Sequence, residues 1–322
     1  MSLIHNATFD SQTRVLSLLD KAGNVISSCE VPSKELVDDI TKPLTFKATQ
    51  DGSALALCRT NSQTYGDFQT SRDGGNTWVD YTIGDRIVLK TDDEVSFRVK
   101  KDRSPYQYAN SHFYFMMGGK IEAWHNVMSM YHKDDFATCD TAVGSLFYGL
   151  FEDCTSLTKA PILPATTLLN DSCYAYMFSG CQSLTKAPEL PATTLVLNCY
   201  AYMFENCHSL TKAPALPATT LIGYCYAYMF YNCRSLTKAP ELPATTLRER
   251  CYINMFSGCR SLKEVRVSAT TTATDALNGW LQNVSATGDF YCDPNATIFP
   301  PGESGIPSGW NRKPLSDYPV TP

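Results

Sequence analysis

The sequence predicts an α+β protein: an N-terminal β hairpin, an all-β sandwich-like domain, and a solenoid whose repeats are about 26 residues long. Three observations carry this. From Cys154 to Gly258 one phrase is written four times, C-x-S-L-T-K-A-P-x-L-P-A-T-T-L and then, after a few free residues, C-Y-x-x-M-F. The copies start at Cys154, Cys181, Cys207 and Cys233, with a degenerate fifth at Cys259. Self-similarity at such a period marks a stack in which each unit buries its apolar face against its neighbours. Upstream, short apolar runs at turn-rich intervals argue for a small β sandwich. Further upstream, Asp20-Lys21-Ala22-Gly23-Asn24 separates two apolar runs, the composition of a hairpin turn.

Residues 1–42 contain those two runs, Thr13 to Leu19 and Val25 to Val31, followed by a short helical patch from Pro32 through Ile40. A lone hairpin is marginal in water. It must dock on the next domain, on a second copy of the chain or on a larger assembly, so this segment is predicted to be the attachment element. Its wording is similar to small hairpin modules at the starts of phage structural proteins.

Residues 43–132 carry strand-like runs at Leu44 to Thr49, Ala54 to Arg59, Phe68 to Ser71, Trp78 to Thr82, Arg86 to Leu89, Val95 to Lys100 and His112 to Met117. Between the third and fourth lies Ser71-Arg72-Asp73-Gly74-Gly75-Asn76-Thr77-Trp78, which resembles the Asp-box that sialidases repeat on their propeller blades. A sialidase would need several boxes, an arginine cluster, and a Tyr nucleophile with a carboxylate partner. One box in a domain of about 90 residues predicts a structural hairpin instead, with Asp and Gly making the turn and Trp joining the core.

Residues 133–284 are the solenoid with its caps. The run from Trp124 to Phe136 holds His125, His132, Asp134 and Asp135, whose spacing fits no metal rule; it is expected to lead into the stack as the N-terminal cap. Within a unit, the Pro pair of Ala187-Pro188-Glu189-Leu190-Pro191 excludes helix and disfavours a long strand ladder. Cys173, Met177 and Cys181 then fall at i, i+4 and i+8, with Tyr174 and Phe178 alongside, which predicts a short helix. After Cys259 the prolines disappear, leaving a strand at Lys263 to Val267 and a predicted capping helix from Thr274 to Leu281. Residues 285–322 read as a last strand around Phe290-Tyr291-Cys292 and a loop strapped over the end, anchored by Trp310.

Met177-Phe178-Ser179-Gly180-Cys181-Gln182-Ser183-Leu184, and its copies at Met203, Met229 and Met255, resemble the BspA-like class of leucine-rich repeat. In that class an aromatic-rich turn precedes x-x-C-x-x-L and a short strand ending in Leu-Pro or Ile-Pro. The present unit is about three residues longer than usual, and Ala-Pro stands where a Val or Ile strand centre is expected. The resemblance implies a leucine-rich-repeat solenoid and a role in recognition or adhesion at cell surfaces, as in gut and oral Bacteroidetes.

Composition narrows the function classes. The chain has 322 residues and a formal charge of −5, but Cys154 to Gly258 holds seven basic and five acidic side chains, so the stack is the less acidic part. No basic stripe marks a nucleic-acid footprint. No apolar run is long enough to span a membrane, and Met1 to Asp10 lacks the basic and apolar regions of a secretory signal. A protein folded in cytoplasm and released by lysis would need none.

The 13 cysteines fall mostly into two columns: Leu146, Cys173, Cys199, Cys225, Cys251, Leu277, and Cys154, Cys181, Cys207, Cys233, Cys259. Leu at both ends of the first suits a packing slot, so buried free thiols are expected, with disulfides and then metal as alternatives. No catalytic arrangement, metal set or cofactor motif is apparent.

Strict repetition makes the varying columns and the exposed invariant ones the candidate binding residues. These are the lysines Lys159, Lys186, Lys212 and Lys238, the tyrosines Tyr176, Tyr202 and Tyr228, and a basic end formed by Arg234, Arg248 and Arg250. The Tyr column gives way to Gly149 and Asn254, which suggests partial exposure. The expected function is non-enzymatic recognition of a bacterial or host surface glycan or protein. The acidic-polymer version lays the chain across the lysines, with sugar faces against the tyrosines. The expected station is a phage virion exterior, joined to other virion proteins or to a second copy of itself through residues 1–42; a Bacteroidetes cell surface is the alternative, and a carbohydrate-active enzyme the remote one.

Overall fold

The computed structural model describes residues 6–10, 15–19, 25–30, 38–60, 68–102, 112–302 and 304–318. They fall into two compact units, Met1–Asp38 and Asp39–Pro322. In the first, Asn6–Asp10, Val15–Leu19 and Val25–Glu30 make an antiparallel three-stranded sheet with Val15–Leu19 in the centre. Ser17 faces Thr8 on one side and Ser28 on the other. The two apolar runs are therefore strands, and Asn6–Asp10, too polar to read as one, adds a third. Most of the helical patch read over 32–40 lies outside the described residues.

The second unit begins as two packed sheets. All seven runs read from the sequence between Leu44 and Met117 are strands within a residue or two of their expected limits. Phe113–Gly118, Ser53–Arg59 and Ile87–Leu89 form one sheet. Thr45–Ala48, Glu94–Val99, Phe68–Ser71 and Val79–Tyr81 lie in the other, together with Ile121–Trp124. Rings from the two sheets meet edge to face, Phe46 on Phe115 at 4.6 Å and Phe97 on Phe115 at 5.3 Å. Buried polar groups are paired: Ser129 Oγ accepts from Leu44 N and donates to Phe97 O, both at 2.9 Å. Asn126, fully buried, caps the 3-10 helix Val127–Met130 by accepting from Met128 N.

The Asp-box is the hairpin between Phe68–Ser71 and Val79–Tyr81. Asp73 accepts from Thr77 N at 2.9 Å, Thr77 Oγ1 at 2.6 Å and Ser71 Oγ at 2.7 Å. Those bonds, the Thr77 ones foremost, hold its carboxyl well below the usual carboxylate range. Trp78 donates Nε1 to Gly75 O and carries the Arg98 guanidinium at 4.1 Å from its ring.

The sandwich runs directly into the stack. Ile121–Trp124 pairs antiparallel with Thr45–Ala48 on one edge and parallel with Leu157–Lys159, the first repeat strand, on the other. Phe115 also stacks on Phe151 at 5.5 Å, so one aromatic core serves both parts.

The repeats wind a β solenoid of about seven turns. The α component expected from the sequence is absent: the only helices among the described residues are two 3-10 turns, Val127–Met130 and Leu315–Asp317. Where the i, i+4 spacing predicts helix, the chain runs as a ribbon of linked tight turns. Cys199, Ala201, Met203, Glu205 and Cys207 each donate N–H to the carbonyl three residues back. The residues between them, Tyr200, Tyr202, Phe204 and Asn206, donate sideways to Cys225, Ala227, Met229 and Tyr231 of the next repeat. An α-helix would direct every one of these N–H groups to the residue four back. The left-handed φ of Asn198 (54°), Tyr202 (59°) and Asn206 (57°) recurs every fourth residue and rules helix out. A ribbon with a four-residue period puts Cys199, Met203 and Cys207 on one face just as a helix would. That is why its pattern imitates one. The predicted capping helix at Thr274 to Leu281 is the same ribbon, with Asp275, Gly279 and Asn283 at positive φ.

Inside the stack, identical side chains form ladders. Phe151, Phe178, Phe204, Phe230 and Phe256 stack at 5.4–5.7 Å. Phe147, Tyr174, Tyr200, Tyr226 and Tyr252 form a second column, closed by Trp280 at 6.2 Å. The thiols of the Cys154 column are buried, and each donates to a Phe carbonyl on the turn before it: Cys181 to Phe151, Cys207 to Phe178, Cys233 to Phe204 and Cys259 to Phe230, all at 3.0–3.1 Å. Close stacking also explains Gly258: a Cβ there would lie 2.3 Å from Asn232 Oδ1, at a φ of +79°.

On the opposite side of each turn the prolines have the expected effect. Lys186 and Lys212 make one isolated bridge, and a continuous ladder returns only at Lys238–Leu242, whose neighbour Glu264–Val267 has no proline. Gly288–Cys292 and Trp310–Pro314 then continue the same parallel sheet, so the tail adds two strands instead of one strand and a strap. Trp310 is buried and donates Nε1 to Ser285 O at 2.8 Å.

Candidate functional site

The four lysines are not equivalent. Lys159 lies with Nζ 3.7 Å from the Trp124 ring centroid, and Lys238 pairs with Glu264 at 2.8 Å while lying over the Tyr318 ring. Between these two committed ends, Lys186 and Lys212 are exposed, and their ammonium groups make no ion pair or hydrogen bond among the described residues. Their in-register pairing puts them about 4.8 Å apart at the backbone. At that spacing two ammonium groups repel by about 0.8 kcal/mol at water's dielectric.

A groove of about 780 Å³ lies along this face. Its walls are Thr211 to Pro217 on one turn and Thr237 to Glu241 with Pro243 on the next, and Tyr318 from the tail stands at its side. It lies where proline has removed ladder donors, between the isolated Lys186–Lys212 bridge and the recovered sheet at Lys238. The walls are mostly Ala, Pro and Leu with two threonines, and the charged side chains along them are Lys212, Lys238 and Glu241, the last paired with Arg266.

The tyrosine column belongs to the turn ribbon and lines no part of that groove. Tyr176, Tyr202 and Tyr228 are half-buried and stack at 4.5 Å with interplanar angles of 6° and 8°. Tyr202 is covered on both faces, so the column presents edges and hydroxyls. All three have φ between 55° and 59°, where an L-residue other than Gly or Asn is strained by about 1–2 kcal/mol. Gly149, Asn254 and Gly279 occupy the same left-handed place on neighbouring turns. Those substitutions in the sequence signalled backbone conformation, not only exposure. Beside the column, burial raises the pKa of Glu152 and Glu205, and Asp153 adds to both.

The arginines differ again. Arg250 hydrogen-bonds Tyr224 Oη and pairs with Asp275 at 3.3 Å, which ties adjacent turns together. Arg234 and Arg248 are exposed, and Arg234, after burial, helps to lower the pKa of His208. The thiols of both columns are buried, and that burial raises their pKa, to about 12 for Cys173, Cys199 and Cys251.

His132 and Asp135, whose spacing fits no metal rule in the sequence, gain a third neighbour from a distant element. Asp102, just past Glu94–Val99, meets His132 and Asp135, just past the 3-10 helix, with one ligand atom from each within 4.8 Å of the other two.

Residues 148–278 match the family model described as BspA type leucine rich repeat region, in six copies. No curated protein and no solved structure matches the chain. No helix among the described residues is long and apolar enough to cross a membrane. A repeat region of this type points to interaction or adhesion at a surface. The ladders, the turn-to-turn bonding and the six matched copies together identify residues 148–278 as a BspA-type leucine-rich-repeat region.

Proposed function

We propose that the protein is a non-enzymatic recognition and adhesion protein that holds an anionic surface polymer, such as an acidic capsule or lipopolysaccharide chain, along the lysine face. The observation that carries this is the pair of unpartnered ammonium groups of Lys186 and Lys212, in register on an exposed face beside a 780 Å³ groove. A polymer with one negative charge per residue relieves the repulsion between the two lysines and lays its apolar side on the Ala-Pro walls. Arg234 and Arg248 extend the cationic field. The tyrosine column, on the turn ribbon and with its rings covering one another, takes no part in holding a polymer along this face.

The test is attachment to encapsulated cells, or to purified acidic glycan, by the chain and by its Lys186→Gln/Lys212→Gln variant. Binding should weaken steeply with salt and fall at least about tenfold in the variant. Unchanged binding at low salt removes the lysines from the site. Glycan recovered shortened or modified would favour the carbohydrate-active reading instead.

The station we favour is the exterior of a phage particle, with residues 1–42 as the attachment segment; a Bacteroidetes cell surface is the second reading. The buried, unpaired thiols support folding in a reducing compartment before release.

A further inference from the structure

We infer that Asp102, His132 and Asp135 bind a divalent transition metal, zinc by donor set, which clasps the end of the sandwich to the entry of the solenoid.

The three donors come from two elements that the chain brings together only in the fold. Asp135 Oδ1 lies 3.3 Å from His132 Nδ1. A tetrahedral zinc with bonds of about 2.0–2.1 Å requires neighbouring ligand atoms about 3.3–3.4 Å apart; the His132–Asp135 pair stands at that spacing, and an Asp102 oxygen lies within 4.8 Å of both and closes on the metal by a side-chain movement. The other imidazole nitrogen is already engaged: Nε2 lies 3.3 Å from Cys139 Sγ, and that thiol donates to Thr141 O at 3.5 Å. With the thiol proton directed at the carbonyl, the sulfur can accept from Nε2–H, the arrangement in which Nδ1 is free to ligate a metal. Such a partner on the distal nitrogen is what orients metal-bound histidines. Asp102 is held in turn by Lys133 N, which donates to its Oδ1 at 2.7 Å.

Three potential ligand atoms converge, and a cation between them would serve all three. A proton on Nδ1 can serve one carboxylate, but the second is left facing it. A metal serves all three. One imidazole and two carboxylates, with a water as fourth ligand, match zinc and its first-row neighbours better than magnesium or calcium, which prefer all-oxygen shells. The site is half-exposed, so exchange with solution is open.

The experiment is titration of the full reduced chain with Zn²⁺ by calorimetry and with Co²⁺ by visible absorption. One equivalent should bind with micromolar Kd, and Co²⁺ should give the intense d–d bands of a tetrahedral site. His132→Gln and Asp135→Asn should each weaken binding by at least about tenfold. Cys139→Ala should weaken it by about tenfold through loss of the positioning contact, and Zn²⁺ should raise the Tm of the native chain but not of His132→Gln. Absence of saturable binding overturns the inference. So does equal affinity in His132→Gln, which would place the metal elsewhere. A thiolate-to-cobalt charge-transfer band that disappears in Cys139→Ala also overturns the donor set, because it would make the sulfur a ligand.

Discussion

The Sγ of Cys207 donates a hydrogen bond to the carbonyl oxygen of Phe178 on the preceding turn, 3.1 Å away. The same oxygen accepts the N–H of Cys181, also at 3.1 Å. One carbonyl thus joins two turns, and the column requires a small apolar side chain carrying a weak donor. Cysteine meets both needs.

Replacing Cys207 by Ala removes the donor and leaves a void in a stacked core. The expected loss is about 1–2 kcal/mol of unfolding free energy, read as a lower denaturation midpoint with unchanged slope. A neutral effect would mean that neither the thiol's hydrogen bond nor its packing stabilises the fold.

The thiols should also make the fold sensitive to alkali. Burial raises Cys173, Cys199 and Cys251 from 9.0 in the unfolded chain to about 12. Between those values the unfolded state has released protons that the folded state keeps, so stability falls as pH rises. Below pH 9 this contribution is fully present; above it each such thiol removes about 1.4 kcal/mol per pH unit. Melting temperature should therefore be flat up to about pH 9 and drop beyond it, and thiol labelling of native protein at pH 8 should reach half-buried Cys58 and Cys139 well before the columns. Rapid native labelling of all the column thiols, or a melting temperature flat through pH 11, would contradict the burial.

Tyr202 separates backbone strain from side-chain packing. Tyr202→Ala loses the stack and keeps the left-handed φ of 59°, whereas Tyr202→Gly loses the stack and relaxes the backbone. The Gly variant should be more stable than the Ala variant by about 1–2 kcal/mol, the reverse of their order in a helix. Equal stability, or Ala above Gly, would place this residue outside the left-handed region in solution.

The N-terminal unit is proposed to carry assembly. Deleting residues 1–38 should leave Asp39–Pro322, a compact unit by itself, folded and soluble but unable to join its particle or its sister copies. Normal assembly of the truncated chain would move the anchor to the solenoid or its tail.

Repetition alone determined the stack and its core columns, because a phrase copied four times with two prolines in each copy excludes both continuous helix and a long ladder; how far the stack runs was left to the structure, where Gly288–Cys292 and Trp310–Pro314 continue its sheet. Alternation and turn composition likewise determined the sandwich strands, and the Asp-box its hairpin. Helix and turn ribbon could not be told apart from spacing: both repeat their faces at i and i+4, and only the hydrogen-bond partner, the same turn or the next, separates them. Tertiary structure also decided which lysines are free. Lys159 finds Trp124 on a sandwich strand and Lys238 finds Glu264 and Tyr318 from later turns, contacts between residues distant in the chain. The same holds for Asp102 and His132. Their convergence depends on how the end of a sandwich strand meets the start of the solenoid, a relation that no local pattern encodes.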